Sequence, residues 1–439
     1  MIHAYELHGR YIVLDVESGA VHELDRAAFD VLQLVGQQNP SPAATAAIGC
    51  SVTLPEQAEA WKELQTLQAE GLLFTEPEQE QPSGRTADLP LKALCMHVSH
   101  DCNLRCAYCF AQTGDFGTGS RSVMAPEIAE RAVDYLLERC GGRKNLEIDF
   151  FGGEPLLALD TVKHTVAYAK KKAPEKHFRF TLTTNGLLLD EETIGYLNAE
   201  MDNLVLSLDG RREVNDRHRG QSYDSLIPKY KRVIETRTGD YYVRGTYTKQ
   251  NLDFAEDIKH LASLGFANIS LEPAVLPPGH PLALSEGDLP KLTAEYEKLC
   301  KFMEEDGSFS FFHFNVDLSQ GPCVYKRLRG CGAGVEYAAV TPEGDVYPCH
   351  QFVGREKYRM GSVLDGQFSK DVSSLFKALD ANSREECQNC RIKYFCGGGC
   401  AAANLTVNGD MMKADRLGCA LGKKRLDCAI YLKTAEMAE

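Results

Sequence analysis

The chain predicts an α/β protein built on a parallel sheet, with a small unit of strands and helices before it and a cysteine-rich region after it. Three observations carry this. Between about residues 91 and 275 an apolar strand-like run, a polar or glycine-containing loop and a helix-like run recur six times. Upstream, a hairpin pattern passes into helical periodicity, and downstream nine of the sixteen cysteines fall between Cys323 and Cys428.

From residue 1 to about 75, "YIVLDVESGAVHEL" reads as a hairpin turning at Ser18-Gly19, and "DRAAFDVLQLVG" as a helix with Asp25 placed to cap it. "PEQAEAWKELQTLQAEGLLF" reads as a helix ending at Gly71 and a closing strand, which completes the pattern of a small winged-helix domain. Residues 76–90 hold Pro, Gln, Glu and Ser with almost nothing to bury, and form a linker. Residues 91–315 follow as the repeated βα core, its strands starting at Leu91, Leu146, Phe178, Asn203, Tyr241 and Asn268. Such a sheet is either doubly wound or curled into a barrel. The unusual residues sit just after the strands: a cysteine triplet after the first, "GGEP" after the second, "NG" after the third and "DG" after the fourth. Barrel enzymes build their active sites at such strand ends, so these four loops are expected to converge. From about 276 "LPPGHP" breaks the alternation, and "FFHFNV" and a helix lead into a last domain at 316–439.

With 439 residues the chain exceeds what a single core usually holds, and 44% hydrophobic and 25% charged residues are those of an ordinary globular protein. No apolar run reaches the roughly 18 residues of a membrane span. "MIHAYELHGR" lacks the apolar stretch of a signal peptide, so a cytoplasmic protein without a membrane partner is expected. A formal charge of -14 argues against a nucleic-acid partner. Sixteen cysteines in a reducing compartment imply metal or redox chemistry rather than disulfides. Cys50, Cys95, Cys140 and Cys300 stand apart from the clusters and read as small buried hydrophobes.

Cys102, Cys106 and Cys109 form C-x3-C-x2-C. Thiolates suit iron, and a [4Fe-4S] cube on three cysteines leaves one iron open for a chelating ligand. Zinc would need a fourth ligand, such as His97 or His100. A helical core face also has this spacing, but Asn103, Arg105 and the position after a strand oppose it. "CNLRCAYCF" resembles the cluster-binding signature of radical S-adenosylmethionine (SAM) enzymes, with Tyr108 at the motif's aromatic position. The resemblance implies a partial (β/α)6 barrel. In "FFGGEP", Gly152, Gly153, Glu154 and Pro155 match the family's loop that contacts the methionyl amino group; glycines let the backbone approach a ligand closely. "TTNG" (Asn185, Gly186) and "SLDG" (Ser207, Asp209) match strand ends that in the family face the SAM ribose and carboxylate. Plain turning and capping after a strand is the competing reading of these loops. The chemistry implied is reductive cleavage of iron-chelated SAM to a 5′-deoxyadenosyl radical, which abstracts a hydrogen atom from a substrate held nearby.

Downstream, Cys331, Gly344, Cys349, then Cys387, Cys390, Cys396 and Cys400, then Cys419, match the seven-cysteine pattern of SPASM domains, which hold two auxiliary [4Fe-4S] clusters. By position in that pattern Cys387, Cys390, Cys396 and Cys419 hold the outer cluster, and Cys331, Cys349 and Cys400 the inner one. Cys323 is a candidate fourth inner ligand; without it the inner cluster has an open iron for a substrate thiolate. Cys428 has no assigned role, and a zinc ribbon on the C-x2-C pair is the alternative for this block. Over nearly the full chain the sequence looks most like the maturases of SCIFF peptides, small precursors with six cysteines in forty-five residues. That resemblance implies an enzyme joining a precursor cysteine sulfur to the backbone carbon of an acceptor residue. The N-terminal unit would grip the precursor's leader as an extra strand, unless it merely packs on the barrel. A flavodoxin- or ferredoxin-like donor would supply electrons. The enzyme alternative is oxidation of a sulfatase Cys or Ser to formylglycine, which calls for a proton acceptor that the sequence does not single out. A different class is a non-catalytic iron-sulfur or zinc protein.

Overall fold

The computed structural model describes residues 1–35, 54–77, 89–318 and 328–438. The expected linker falls mostly at 78–88, outside the described residues, as do Cys50 and Cys323.

The first unit is an antiparallel sheet in the order β1 (Ile2–Leu7), β2 (Arg10–Asp15), β3 (Val21–Leu24), with α1 (Arg26–Val35) and α2 (Pro55–Ala69) packed on it. The β2–β3 hairpin and the Asp25 cap follow the sequence reading; Asp25 Oδ1 accepts from Ala28 N at 2.7 Å. β1 was not anticipated. It pairs with β2 through a turn at His8-Gly9, both with positive φ (48° and 83°), the geometry that matches strand twist in tight hairpins. The closing strand expected after Gly71 does not form among the described residues. Phe74 has φ 56°, which ends any extended run, and Leu73 and Phe74 turn in to fill the core between sheet and helices.

Six parallel strands follow: β4 (Ala93–Ser99), β5 (Asn145–Gly152), β6 (His177–Thr184), β7 (Asn203–Ser207), β8 (Asp240–Tyr247) and β9 (Asn268–Pro273). Each pairs with the next in sequence order. The connections carry α3 (Pro126–Arg139), α4 (Leu159–Lys172), α5 (Glu191–Glu200), α6 (Arg212–Arg219), α7 (Tyr223–Thr236) and α8 (Phe254–Ser263). A strand order that never reverses, joined by crossovers of one hand, keeps the helices on one face and curls the sheet. The result is a partial barrel, which resolves the choice the sequence left open. Alternation along the strands serves this: Ile148, Phe150, Phe180 and Leu182 are buried in the main core, while Asp149, Phe151, Thr181 and Thr183 occupy the other face.

After β9 comes a long helix not expected from the sequence, α9 (Leu289–Glu305), and a short parallel edge strand, β10 (Ser310–Phe311). At the opposite edge the cysteine-rich region adds to the same sheet. β11 (Tyr337–Val340) pairs parallel with β4, and β12 (Asp345–Tyr347) and β13 (Gly361–Ser362) continue antiparallel. The strand that leads into the cysteine triplet therefore lies beside β11, one strand away from β12, which leads into Cys349. Short helices α10 (Lys370–Lys377) and α11 (Ala401–Asn408) precede α12 (Arg416–Ala438), which packs along α9. Asp427 of α12 ties three regions together: it pairs with His3 at 3.0 Å and Arg391 at 2.8 Å, and its carbonyl accepts from Tyr5. Among the described residues no helix is long and apolar enough to cross a membrane.

Candidate active site

The loop after β4 places Cys102, Cys106 and Cys109 on the wall of one cavity of about 270 Å³ at the strand ends. Burial pushes the Cys106 thiol up to about 11, and burial raises Cys102 as well, with smaller contributions from neighbouring thiols. Thiols in that state give up protons when metal binds. The same wall carries Gly152, Gly153, Glu154, Asn185 and Ser207, so the loops after four consecutive strands converge here.

Each motif has a local cause. A Cβ on Gly152 would lie 2.2 Å from Ser99 O, and one on Gly153 2.1 Å from Asp101 O. The glycines are demanded by the cysteine loop's own backbone, which they touch through Gly153 N to Ser99 O and Glu154 N to Asp101 O, both 2.8 Å. Glu154 is buried and accepts from Leu156 N, Thr184 Oγ1 (2.7 Å) and Asn185 N (2.7 Å). Burial lifts its carboxyl to about 7 despite those bonds. Asn185 in turn donates to Asn103 Oδ1 at 2.7 Å and lies 3.6 Å from Cys102 Sγ. "GGEP" and "TTNG" thus brace the cysteine loop as well as lining the cavity.

Asp209 stands behind the cavity wall rather than on it. It is fully buried, accepts from Tyr108 OH at 2.7 and 2.8 Å and from Thr246 N at 3.0 Å, and pairs with Arg219 at 3.0 Å. It fixes Tyr108 and balances Arg219, which lines the cavity. His97 and His100 also lie away from the cavity lining. Their rings bond each other at 3.2 Å and pack on Phe116, so neither is placed as a fourth ligand to the triplet.

Sequence reasoning missed Arg219, Arg244, Glu272 and His350, all on the cavity wall. Arg244 and Glu272, from β8 and β9, pair at 2.6 Å on strands without a recognisable motif. His350 did carry a signal, since it follows Cys349 directly. Burial lowers its pKa to about 4, with the Arg244 charge adding to this, so it is neutral near pH 7.

Seven more cysteines form two further groups. Cys331, Cys349 and Cys400 lie near one another, each of the latter two thiols raised first by burial and then by its neighbours. This group lies near the first cavity: His350 and Gln351, next to Cys349, line that cavity, and the Cys400 thiol senses Glu272. Cys387, Cys390, Cys396 and Cys419 line a separate cavity of about 330 Å³. Soft thiol donors gathered three, three and four to a group are a donor chemistry suited to iron-sulfur clusters. Cys428 belongs to none of them. It is buried between α12 and α9, its Sγ 3.6 Å from Tyr296 O, with Cys300 Sγ 3.6 Å from its own carbonyl.

Fold and site together define a partial-barrel enzyme with thiol groups at its strand ends. Residues 96–270 match the model of the Radical SAM superfamily, and residues 331–391 that of the SPASM iron-sulfur cluster-binding domain. The chain is a radical SAM enzyme with a SPASM domain, whose cofactors are SAM and iron-sulfur clusters. It is 26% identical over 333 residues to the mycofactocin maturase MftC of Mycolicibacterium smegmatis, covering 73% of this chain and 80% of that one. It is 25% identical over 337 residues to the cysteine-type anaerobic sulfatase-maturating enzyme of Clostridium perfringens, covering 71% and 89%. Streptococcus suis SuiB, solved bound to the precursor peptide SuiA, shares the fold with a TM-score of 0.57 at 19% identity, covering 95% of this chain and 98% of that one.

Proposed function

We propose that this enzyme forms thioether cross-links in a ribosomally made, cysteine-rich precursor peptide, joining a Cys sulfur to the backbone carbon of an acceptor residue with the net loss of two hydrogens. In this reading the first cysteine group holds the SAM-binding cluster; Cys387, Cys390, Cys396 and Cys419 hold the outer auxiliary cluster. Cys331, Cys349 and Cys400, with Cys323 as a further candidate, hold the inner one. When bound, cluster and SAM supply the radical that abstracts hydrogen. The chain's residues bind and orient: Glu154, Asn185 and the glycine pair fix the cysteine loop, and Tyr108, Arg219 and Ser207 shape the SAM side. The observation that carries the proposal is that His350 and Gln351, which follow Cys349 directly, line the same cavity as the first cysteine group. A substrate in that cavity has the radical source on its wall and the inner cysteine group next to residues of the same wall.

A peptide substrate is supported by the relatives, since MftC is a maturase and SuiB binds SuiA. The N-terminal unit, read as a winged-helix leader-binding domain spanning 1–75, leaves β3 at the edge of its sheet, with Leu34 and Leu72 of the same unit exposed. An extended leader can add to such an edge. The test is anaerobic incubation of the reconstituted enzyme, SAM and reductant with a small cysteine-rich precursor. Mass spectrometry is expected to show loss of two hydrogens and one free thiol per bridge, and no product when the leader is removed. A precursor returned unchanged by an enzyme that cleaves SAM would refute the substrate assignment.

A second reading, oxidation of a sulfatase Cys or Ser to formylglycine, draws support from the Clostridium perfringens relative and from His350 on the cavity wall as a candidate proton acceptor. It predicts turnover of a short leaderless sulfatase peptide, with sulfur exchanged for oxygen when the residue is Cys.

A further inference from the structure

A groove outside the cavity shares a wall with it. Pro273, Ala274 and Val275, at and just after the end of β9, line both the cavity and a second hollow of about 590 Å³. This hollow runs between the loop that follows β9 and the segment joining α11 to α12. The cavity alone, about 270 Å³, falls just below the roughly 300–1,000 Å³ typical of sites for single small molecules. A peptide that presents one residue there has to continue elsewhere, and the groove is the hollow continuous with it.

Its chemistry suits an extended peptide. Leu276, Leu284 and Leu417 give it a half-buried apolar bed, and charges of both signs, Lys249 and Arg416 against Glu286 and Asp415, stand along it. The last ladder bond of this edge is Ala274 N to Tyr247 O at 2.8 Å. Pro277 and Pro278 then stiffen the loop and remove two amide donors, which disfavours folding this stretch back on itself as a paired strand. Bed and mixed charges would give selectivity among sequences, whereas a surface of one sign would attract any oppositely charged partner.

We propose that this groove holds, in extended form, the stretch of substrate peptide next to the residue being modified. The inference rests on the peptide-modifying reading above. An extended chain advances about 3.3 Å per residue and turns alternate side chains to one face, so every second side chain meets the apolar bed.

Ala283→Trp fills the groove from a position that lines it and not the cavity. In the reconstituted holoenzyme this variant is expected to cleave SAM without peptide at the wild-type rate. It should modify the cysteine-rich precursor at least tenfold less efficiently, with raised KM. Because a buried tryptophan can disturb folding, a second variant places the photoreactive p-benzoylphenylalanine at the exposed Glu286. Irradiation should cross-link the precursor through residues adjoining the modified one. Wild-type KM and rate in Ala283→Trp, or cross-linking absent from an otherwise active Glu286 variant, would overturn the groove assignment while peptide modification stands. Wild-type enzyme that cleaves SAM but modifies no precursor would remove both readings together.

Discussion

Asp149, inside the barrel, shows what burial does to a single carboxylate. Burial, with the neighbouring Glu147 charge, lifts it to about 7, against weaker pulls from Lys92 and Thr181. An unfolded aspartate titrates near 4, so between about pH 4 and 7 the folded chain holds a proton that the unfolded chain has lost. Stability from this group is therefore complete below about pH 4 and is lost as pH rises through about 7. Thermal melting of the anaerobic holoenzyme should fall less between about pH 5 and 8 in Asp149→Asn than in the wild type; equal slopes would contradict this. The cysteines give a second contrast at this scale. Cys419→Ala should lower iron by about four per chain, whereas Cys428→Ala should keep full iron and cost about 1 kcal/mol in stability, measured by anaerobic denaturation. The triplet's place on the cavity wall was legible from C-x3-C-x2-C after a strand together with the resemblance of "CNLRCAYCF". Arg244 and Glu272 were not, because each comes from a different strand and only the curl of the sheet brings them together.

At the scale of elements, all six barrel strands were legible within about two residues, from apolar runs bounded by turn residues. The misses have physical causes. β1 depends on a positive-φ turn at His8-Gly9, where His gives no strong signal, and the strand expected after Gly71 is ended by the left-handed Phe74. The glycine loop was legible as a motif but for an incomplete reason, since the close approach it permits is to the backbone of Ser99 and Asp101. Gly153→Ala should thus cost about 3 kcal/mol and reduce SAM cleavage, because the cysteine loop has to shift. Gly195 is the control: it lies inside α5 with nothing within 4 Å of an added Cβ. Gly195→Ala should stabilise by about 1 kcal/mol and leave cleavage unchanged. Denaturation midpoints and 5′-deoxyadenosine yield measure both.

Across the whole molecule, the cysteine-rich region and the barrel share one sheet, so β4 and β11 fix the first cysteine group and the inner group relative to each other. Asp427 then holds the N-terminal unit to the same body through His3, Tyr5 and Arg391. In the proposed reading, leader recognition, radical generation and sulfur placement are carried by three regions of one chain. The thioether reading and its formylglycine rival differ in which hydrogen is taken: from the backbone carbon of an acceptor residue, or from the side-chain carbon of the Cys itself. The most direct test is a precursor deuterated at the backbone carbon of its acceptor residues, turned over with unlabelled SAM and analysed for 5′-deoxyadenosine by mass spectrometry. One deuterium in 5′-deoxyadenosine per cross-link is the expected result. Unlabelled 5′-deoxyadenosine from that precursor, with transfer seen instead from a Cys deuterated at its side-chain carbon, would contradict it.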